Sequence, residues 1–391
     1  MAEWIEVQLS DILEDKGYIR GPFGSALKRG DMKTEGVPVY EQQHAIYNSR
    51  QFRYFIDEQK FSEMKRFQVK NNDLIISCSG TVGKVSIIRD DDPKGIISQA
   101  LLLLRANTKK VLPLYLKYFF SSREGYNAIV SRSSGSVQVN LSKRNVIKQI
   151  PIKLPPLSTQ QKIVDVLSVI DGKIEENEKI NNNLEQQAQA IYQQMFVDNP
   201  SSKWKEGTLC DIADITMGQS PSGSSYNEES NGTIFFQGRA EFGFRFPTVR
   251  LFTTEPKRMA CANDTLMSVR APVGDLNVAH TDCCIGRGLA AIHSKTNHQS
   301  FVLYTMFSLK KQLDVFNGEG TVFGSINRNS LNEMPILIPS DEKLDEFERI
   351  VAPMDTAIRN NYDEICRLEQ IRDSLLPKLM SGELDVSDID L

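Results

Sequence analysis

The chain has 391 residues, of which 40% are hydrophobic and 25% charged; at about 150 residues per domain this predicts two or three domains and excludes a disordered polymer. The longest uncharged apolar stretch, around Gly95 to Leu104, is about half of the roughly 20 residues a membrane helix needs, and the N-terminus lacks a basic signal region, so the expectation is a soluble protein of the cytoplasm. The formal net charge of −4 hides a segregation: residues 1–155 carry 24 basic and 16 acidic side chains, 156–198 carry 3 and 7, 199–339 carry 13 and 13, and 340–391 carry 6 and 14, so a polyanion should meet the first and third segments.

In chain order, Trp4 to Ile12 opens the first segment, followed by the Gly-rich polar loop Arg20-Gly-Pro-Phe-Gly-Ser-Ala-Leu-Lys-Arg29. Short strands are expected at Val37–Tyr40, Leu74–Ser77, Val85–Ile88, Ile96–Ser98 and Leu101–Leu104, and one helix over Pro113–Val130. A second polar loop, Ser131 to Asn140, leads to Arg144-Asn145 and the extended segment Ile150-Pro-Ile-Lys-Leu-Pro-Pro-Leu157. Then Ile163, Leu167, Ile170, Ile174, Asn177, Asn181, Leu184, Ala188, Ile191 and Met195 alternate at spacings of 4 and 3, a coiled-coil seam, with Ser158 as N-cap.

The same order then recurs. Trp204, Glu206, Leu209, Asp211 and Ile212 repeat Trp4, Glu6, Leu9, Asp11 and Ile12 at an offset of 200. Asn263, Asp264, Ser268, Val273 and Gly274 repeat Asn72, Asp73, Ser77, Val82 and Gly83 at 191. From Arg328 and Asn329 onward the offset is 184 and stays there through Asp171/Asp355, Asn177/Asn361 and Leu184/Leu368. Strands are expected at Thr233–Phe236, Thr265–Val269 and Gly288–Ile292, and a helix over Ser300–Phe316. The second seam runs through Phe347, Val351, Met354, Ile358, Asn361, Ile365, Leu368, Arg372, Leu375 and Leu379, with Ser340 as N-cap and Pro353 and Pro377 expected to bend or end parts of the helix. Ile170, Ile174, Asn177, Leu184 and Ile191 on the first helix and Met354, Ile358, Asn361, Leu368 and Leu375 on the second are thus assigned to helix pairing, the polar Asn positions suiting register selection. Each helix of about 38 residues would measure roughly 57 Å. The domain plan is 1–155, a first spacer helix 156–198, a second domain 199–339, and a second spacer helix with tail 340–391, an α+β chain overall.

No catalytic constellation is found. Cys78-Ser-Gly-Thr-Val-Gly-Lys84-Val85 lacks the first glycine and the final Ser or Thr of a phosphate-binding loop, and its counterpart carries Asp275 where Lys84 stands. Six cysteines without a C-x-x-C pair read as reduced thiols, and His280, Cys261, Cys283 and Cys284 lack paired zinc-ligand spacing. What recurs is polar loops rich in the donors and acceptors that phosphates and base edges require. They nominate Arg20, Lys28, Arg29, Lys84, Arg132, Ser134, Gln138, Asn140, Lys143 and Arg144 in the first half. Gln219, Ser220, Ser222, Tyr226, Arg239, Arg245, Arg270, Arg287, Asn327 and Arg328 are nominated in the second. Gln42, Gln43 and His44 are candidates for reading bases, with turn stabilisation as the equal alternative.

Taken in this order, Gly21-Pro-Phe-Gly-Ser25, Val137-Gln-Val-Asn-Leu-Ser142, Pro151 to Ile163, Gly218-Gln-Ser-Pro221, Arg270-Ala-Pro-Val-Gly274 and Leu379-Met-Ser-Gly-Glu-Leu384 resemble the specificity subunits of type I restriction-modification systems over essentially the whole chain. The resemblance implies two target-recognition domains, each reading one half of a split, asymmetric double-stranded DNA site. It implies an antiparallel helix pair that spaces them and docks two modification subunits, with restriction subunits in the full complex. Methyl transfer and cleavage, with S-adenosylmethionine, ATP and Mg, would belong to those partners and no cofactor to this chain. The neutral second domain departs from the expected basic character. A stand-alone methyltransferase or nuclease, and a scaffold without a DNA role, are the rival readings.

Overall fold

The computed structural model describes residues 4–132, 140–141, 143–318 and 324–386, and the chain divides into two units, Met1–Glu175 with Glu364–Leu391 and Glu176–Asp363. Each unit therefore takes one globular part and a stretch of both long helices.

In the first unit the strands are β1 (Ile5–Gln8), β2 (Leu13–Arg20), β3 (Val37–Tyr40), β4 (Phe55–Ile56), β5 (Leu74–Ser77), β6 (Val85–Ile87), β7 (Ile96–Ile97), β8 (Leu101–Ala106) and β9 (Pro151–Leu154). The main sheet runs β2-β8-β5-β6, beside a three-stranded β4-β3-β7 sheet and a β1-β9 pair. The four-leucine run is legible as β8 because both faces of this strand are covered. Leu102 and Leu104 join Leu74 and Ile76 in a core with Tyr115, Leu116 and Phe119. Leu101 and Leu103 turn the other way, with Ile75, toward Tyr40 and Ile97. The helix expected over Pro113–Val130 is two, Pro113–Ser121 and Arg123–Val130. Ser122 divides them: its hydroxyl accepts the Gly125 N–H at 3.2 Å as N-cap of the second.

In the second unit the strands are β10 (Lys205–Thr208), β11 (Ala213–Met217), β12 (Tyr226–Asn227), β13 (Thr233–Phe236), β14 (Leu251–Thr253), β15 (Met259–Ala260), β16 (Thr265–Ser268), β17 (Leu276–Val278), β18 (Cys283–Ile285), β19 (Leu289–Ser294) and β20 (Pro335–Ile338). Sheet orders are β11-β19-β16-β17, β12-β14-β13-β18-β15 and β10-β20. Met267, Ala290 and Ile292 face a core with Phe301 and Tyr304, while Leu266, Leu289 and Ala291 face Phe236 and Ile285. The expected Ser300–Phe316 helix is again divided, into Gln299–Ser308 and Lys310–Asp314.

The long helices are Leu157–Tyr192, of 36 residues, and Asp341–Ser381, of 41. Ser340 directly precedes the second, its carbonyl accepting the Leu344 N–H at 3.1 Å. Ser158 lies inside the first turn of the first helix rather than capping it, because the helix already starts at Leu157, after the two prolines. Pro353 and Pro377 neither end nor divide the second helix. Each removes one backbone donor, and Val351, Ile358, Leu376 and Leu379 on either side of them stay buried in the cores.

Within the first unit, Ile163, Val164 and Leu167 share a core with Leu376, Leu379 and Met380, and Arg372 Nη1 lies 3.4 Å from Asp171 Oδ1. Within the second, Ala188, Tyr192 and Phe196 share a core with Leu344, Phe347 and Val351. There Asn361 Nδ2 donates to Asn181 Oδ1 at 2.9 Å. Ile174, Asn177 and Ile358 are buried, and Ile170, Leu184, Ile191, Met354, Leu368 and Leu375 partly so.

Candidate nucleic-acid interface

The loop after β2 is built around Gly21, whose N–H donates to the Leu101 carbonyl at 2.9 Å. A Cβ there would stand 1.9 Å from the Ser98 carbonyl oxygen, so only glycine fits. The turn leaves Phe23 58% exposed, its ring 6.0 Å from the Arg20 guanidinium. Burial pushes the Tyr18 hydroxyl and the Cys78 thiol each up to about 12, and Arg20, beside both, opposes that shift. The exposed Arg144 guanidinium lies over the Tyr18 ring at 5.4 Å. Arg20, Tyr18, Cys78 and Arg144 are thereby brought together.

A second group adjoins it. Leu141 N–H donates to the Cys78 carbonyl at 2.9 Å, Ser79 bridges Asn140, and Ser79 N–H donates to Gln42 Oε1 at 3.0 Å. Lys84 is exposed with its ammonium 5.1 Å from the Tyr126 ring. Lys143 is exposed at the start of the helix Arg144–Lys148. Lys28 and Arg29 are exposed, the Lys28 N–H donating to Asp31 at 2.7 Å. Arg132 is partly spent on the end of the preceding helix, donating to the Ala128 carbonyl at 2.8 Å. Ser134 and Gln138 lie outside the described residues.

His44 is a core residue rather than a base reader. It is 0% exposed, its Nε2 lies 3.0 Å from the Gln51 carbonyl, and its ring stacks on Phe52 at 4.6 Å. Burial holds its pKa below the usual imidazole range, against opposing hydrogen bonds to the Gln51 and Glu41 carbonyls. Gln43 ties the same turn through Nε2 to the Gln51 carbonyl at 3.3 Å. Gln42 likewise spends its carbonyl oxygen on Ser79, so the turn-stabilising alternative describes what these side chains do here.

The second unit repeats several of these bonds. Ile326 N–H donates to the Val269 carbonyl at 3.1 Å, and Arg270 bridges Ser325. Gly218 N–H donates to the Leu289 carbonyl at 2.9 Å, and Gln219 and Arg287 are exposed on adjoining loops joined by Arg287 N–H to Ser220 Oγ at 3.3 Å. Arg270 and Arg328 are exposed. Ser222 pairs with Ser224 at 2.8 Å. Tyr226 packs on Phe235 and donates to the Pro221 carbonyl at 3.1 Å, which fixes the loop rather than freeing the hydroxyl. Asn327 caps the helix Arg328–Asn332, accepting the Ser330 N–H at 2.9 Å. Arg239 pairs with Asp275 at 2.6 Å, and Lys310, which sequence patterning did not nominate, reaches the same carboxylate at 3.5 Å.

Arg245, nominated for the DNA surface, is buried instead. Its side chain is 4% exposed, held between Glu185 at 3.1 Å and Asp355 at 3.3 Å, and it donates to the Tyr304 hydroxyl at 3.1 Å. A guanidinium so enclosed has no face left for a phosphate. The isolated cation near a phenylalanine-rich loop gave no sign of this, because both acids come from helices distant in sequence.

Among the described residues no group of three or more His, Cys, Asp or Glu side chains could hold a metal ion, and no helix is long and apolar enough to cross a membrane. His280 instead meets Asp363 at 2.7 Å, and Cys283 is buried with its thiol pushed up to about 12, chiefly by burial. The arrangement presents exposed Arg, Lys, Gln and Ser side chains on two similar sets of loops.

Residues 1–186 and 201–370 match the family described as type I restriction modification DNA specificity domain. A chain described as the type I restriction enzyme MjaX specificity subunit of Methanocaldococcus jannaschii is 29% identical over 356 residues, covering 85% of this chain and 83% of that one. The type I restriction enzyme HindI specificity subunit of Haemophilus influenzae is 22% identical over 388 residues, covering 77% and 84%. The crystal structure of the type I restriction-modification system S subunit from M. genitalium superimposes with a TM-score of 0.61 at 16% identity, over 97% of this chain and 96% of that one, a likeness of fold.

Proposed function

The chain belongs to the type I restriction-modification DNA specificity family, and from that premise we propose that it is the sequence-reading subunit of a type I complex. Each globular part, 1–155 and 199–339, reads one half of a bipartite, asymmetric site in double-stranded DNA. The long helices, 156–198 and 340–391, pair antiparallel, set the gap between half-sites and dock two modification subunits, with restriction subunits completing the assembly. Methyl transfer and cleavage take place on those partners, which carry the S-adenosylmethionine, ATP and Mg, and the chain works in the cytoplasm, where its DNA is.

The observation that carries the reading is the recurrence of one loop framework on two charge-rich polar surfaces. The Leu141-to-Cys78 and Ile326-to-Val269 bonds, the Ser79–Asn140 and Arg270–Ser325 bridges, and the Gly21 and Gly218 turns occupy equivalent places in two sheets of equivalent strand order. This supports treating the halves as two copies of one reader. Loops rather than sheet faces vary freely without disturbing a core, as differing half-site sequences demand. Antiparallel pairing of the helices is supported by two cross-helix contacts, Asp171 with Arg372 and Asn181 with Asn361, in which higher numbers on one helix meet lower numbers on the other.

The test is base-resolution sequencing of methylated DNA from a host carrying this gene with its modification gene. The expected result is a split motif that disappears with this gene, and of which one half changes when residues 199–339 are exchanged for those of a relative. Methylation that ignores the exchange, or that persists without this chain, overturns the reading.

A further inference from the structure

Two tyrosines outside the loop surfaces make the same contact in the two units. Tyr118, on the helix Pro113–Ser121 and 2% exposed, donates its hydroxyl to Asp171 Oδ2 at 2.9 Å on the first long helix. Tyr304, on the helix Gln299–Ser308 and 1% exposed, donates to Asp355 Oδ1 at 2.8 Å on the second. Asp171 and Asp355 are equivalent at the constant offset of 184. Burial raises both hydroxyls well above the usual phenol range, so each remains a donor.

Each carboxylate also ties in the other long helix. Asp171 receives Lys117 Nζ at 3.1 Å and Arg372 Nη1 at 3.4 Å, the latter from the second helix. Asp355 lies 3.3 Å from Arg245 Nη1, and Arg245 Nη2 lies 3.1 Å from Glu185 on the first helix. In each unit a domain helix and both long helices meet at one charged junction inside an otherwise apolar contact. Apolar packing is non-directional; it holds a domain on a helix without fixing the angle. Hydrogen bonds have preferred lengths and angles, and a buried donor whose only good acceptor sits on another element fixes the register of the two.

We propose that Tyr118–Asp171 and Tyr304–Asp355 are positioning contacts that set the angle of each DNA-reading domain on the helix pair, and so determine which spacer between half-sites is accepted. The inference rests on the DNA-reading role proposed above and adds residues to it. One added base pair moves a half-site by about 3.4 Å and turns it by roughly a tenth of a helical turn. Domains held at a fixed angle meet only one such placement, whereas loosened domains follow the neighbouring ones.

The test uses host cells carrying the full chain with its modification subunits, with methylated bases mapped at motifs of the native spacer and of spacers one base pair shorter and longer. The variants are Tyr118→Phe, Tyr304→Phe and the double substitution, which keep the ring in its core. Asp171→Asn with Asp355→Asn keeps an acceptor for each tyrosine while weakening the ion pairs. The wild-type complex is expected to methylate the native spacer almost exclusively. The double Phe variant should raise methylation at the off-length spacers about tenfold relative to the native one, with unchanged half-site sequences and the Asn pair intermediate. A double Phe variant with a lowered melting temperature but wild-type spacer selectivity would make the tyrosines merely structural and overturn the inference. A wild-type chain that directs no split motif would overturn the DNA-reading role itself, and the inference with it.

Discussion

Replacing Arg245 by Ala is the sharpest check on the buried junction of the second unit. The side chain is 4% exposed and lies 3.1 Å from Glu185, 3.3 Å from Asp355 and 3.1 Å from the Tyr304 hydroxyl. Its loss leaves two carboxylates facing each other without their cation, and breaking such a buried pair costs about 3–5 kcal/mol. For a unit of this size each kcal/mol lowers the melting temperature by about 2–4 °C, so the expected fall is on the order of 10 °C. The pH dependence has a definite sign. Burial already raises the pKa of both Glu185 and Asp355, with Arg245 opposing it, so without Arg245 both rise further above their unfolded values. A carboxylate whose folded pKa is raised favours the fold below its unfolded value near pH 4 and loses that contribution as pH climbs through the folded value. The Ala variant should therefore lose least stability near pH 4 and most at neutral pH. Calorimetry of the full chain at pH 5 and pH 7.5 measures both quantities. Arg245→Met combined with Glu185→Gln and Asp355→Asn should recover most of the loss, since no charge then remains buried. A fall of less than about 2 °C at pH 7.5, or an equal loss at both pH values, would refute the account.

Further outcomes follow from the loops and the helices. Lys143→Ala with Arg144→Ala should weaken DNA binding by the assembled complex about equally across sequences and reduce the slope of log affinity against log salt by roughly one unit per lost phosphate contact; an unchanged slope would remove both residues from the interface. Gly21→Ala forces a Cβ to within 1.9 Å of the Ser98 carbonyl oxygen, whereas Gly24→Ala meets open space at φ +60°. Gly24→Ala should therefore cost about 1 kcal/mol, and thermal melting should show a distinctly larger loss for Gly21→Ala. Inserting one heptad after Glu178 and one after Asp363, between the Asp171–Arg372 and Asn181–Asn361 contacts, keeps the seam and adds about 10 Å, so the methylated motif should keep both half-sites and gain roughly three base pairs of spacer; an unaltered spacer would refute the ruler role of the helices.

The sequence alone determined the parts whose signal is local. The leucines of β8 announce a strand covered on both faces. Val37–Tyr40 and Leu74–Ser77 read as strands and are strands with the same bounds. The apolar spacings of 4 and 3 marked two long helices, and the chain has them at Leu157–Tyr192 and Asp341–Ser381. Only the tertiary structure decided which polar residues are available to a partner. His44 and Arg245 look like surface groups in sequence and are enclosed, one by Phe52 and the Gln51 carbonyl, the other by Glu185 and Asp355. Residues far along the chain supply the cover, so no window around either residue contains it. The same holds for register: Asn361 donates to Asn181 across the helices, a partner that no spacing within either seam names. Pro353 and Pro377 stay within one helix, where local propensity argued for a break. In each case burial against distant residues outweighs the preference written locally, since a packed apolar face contributes more than one missing backbone bond removes.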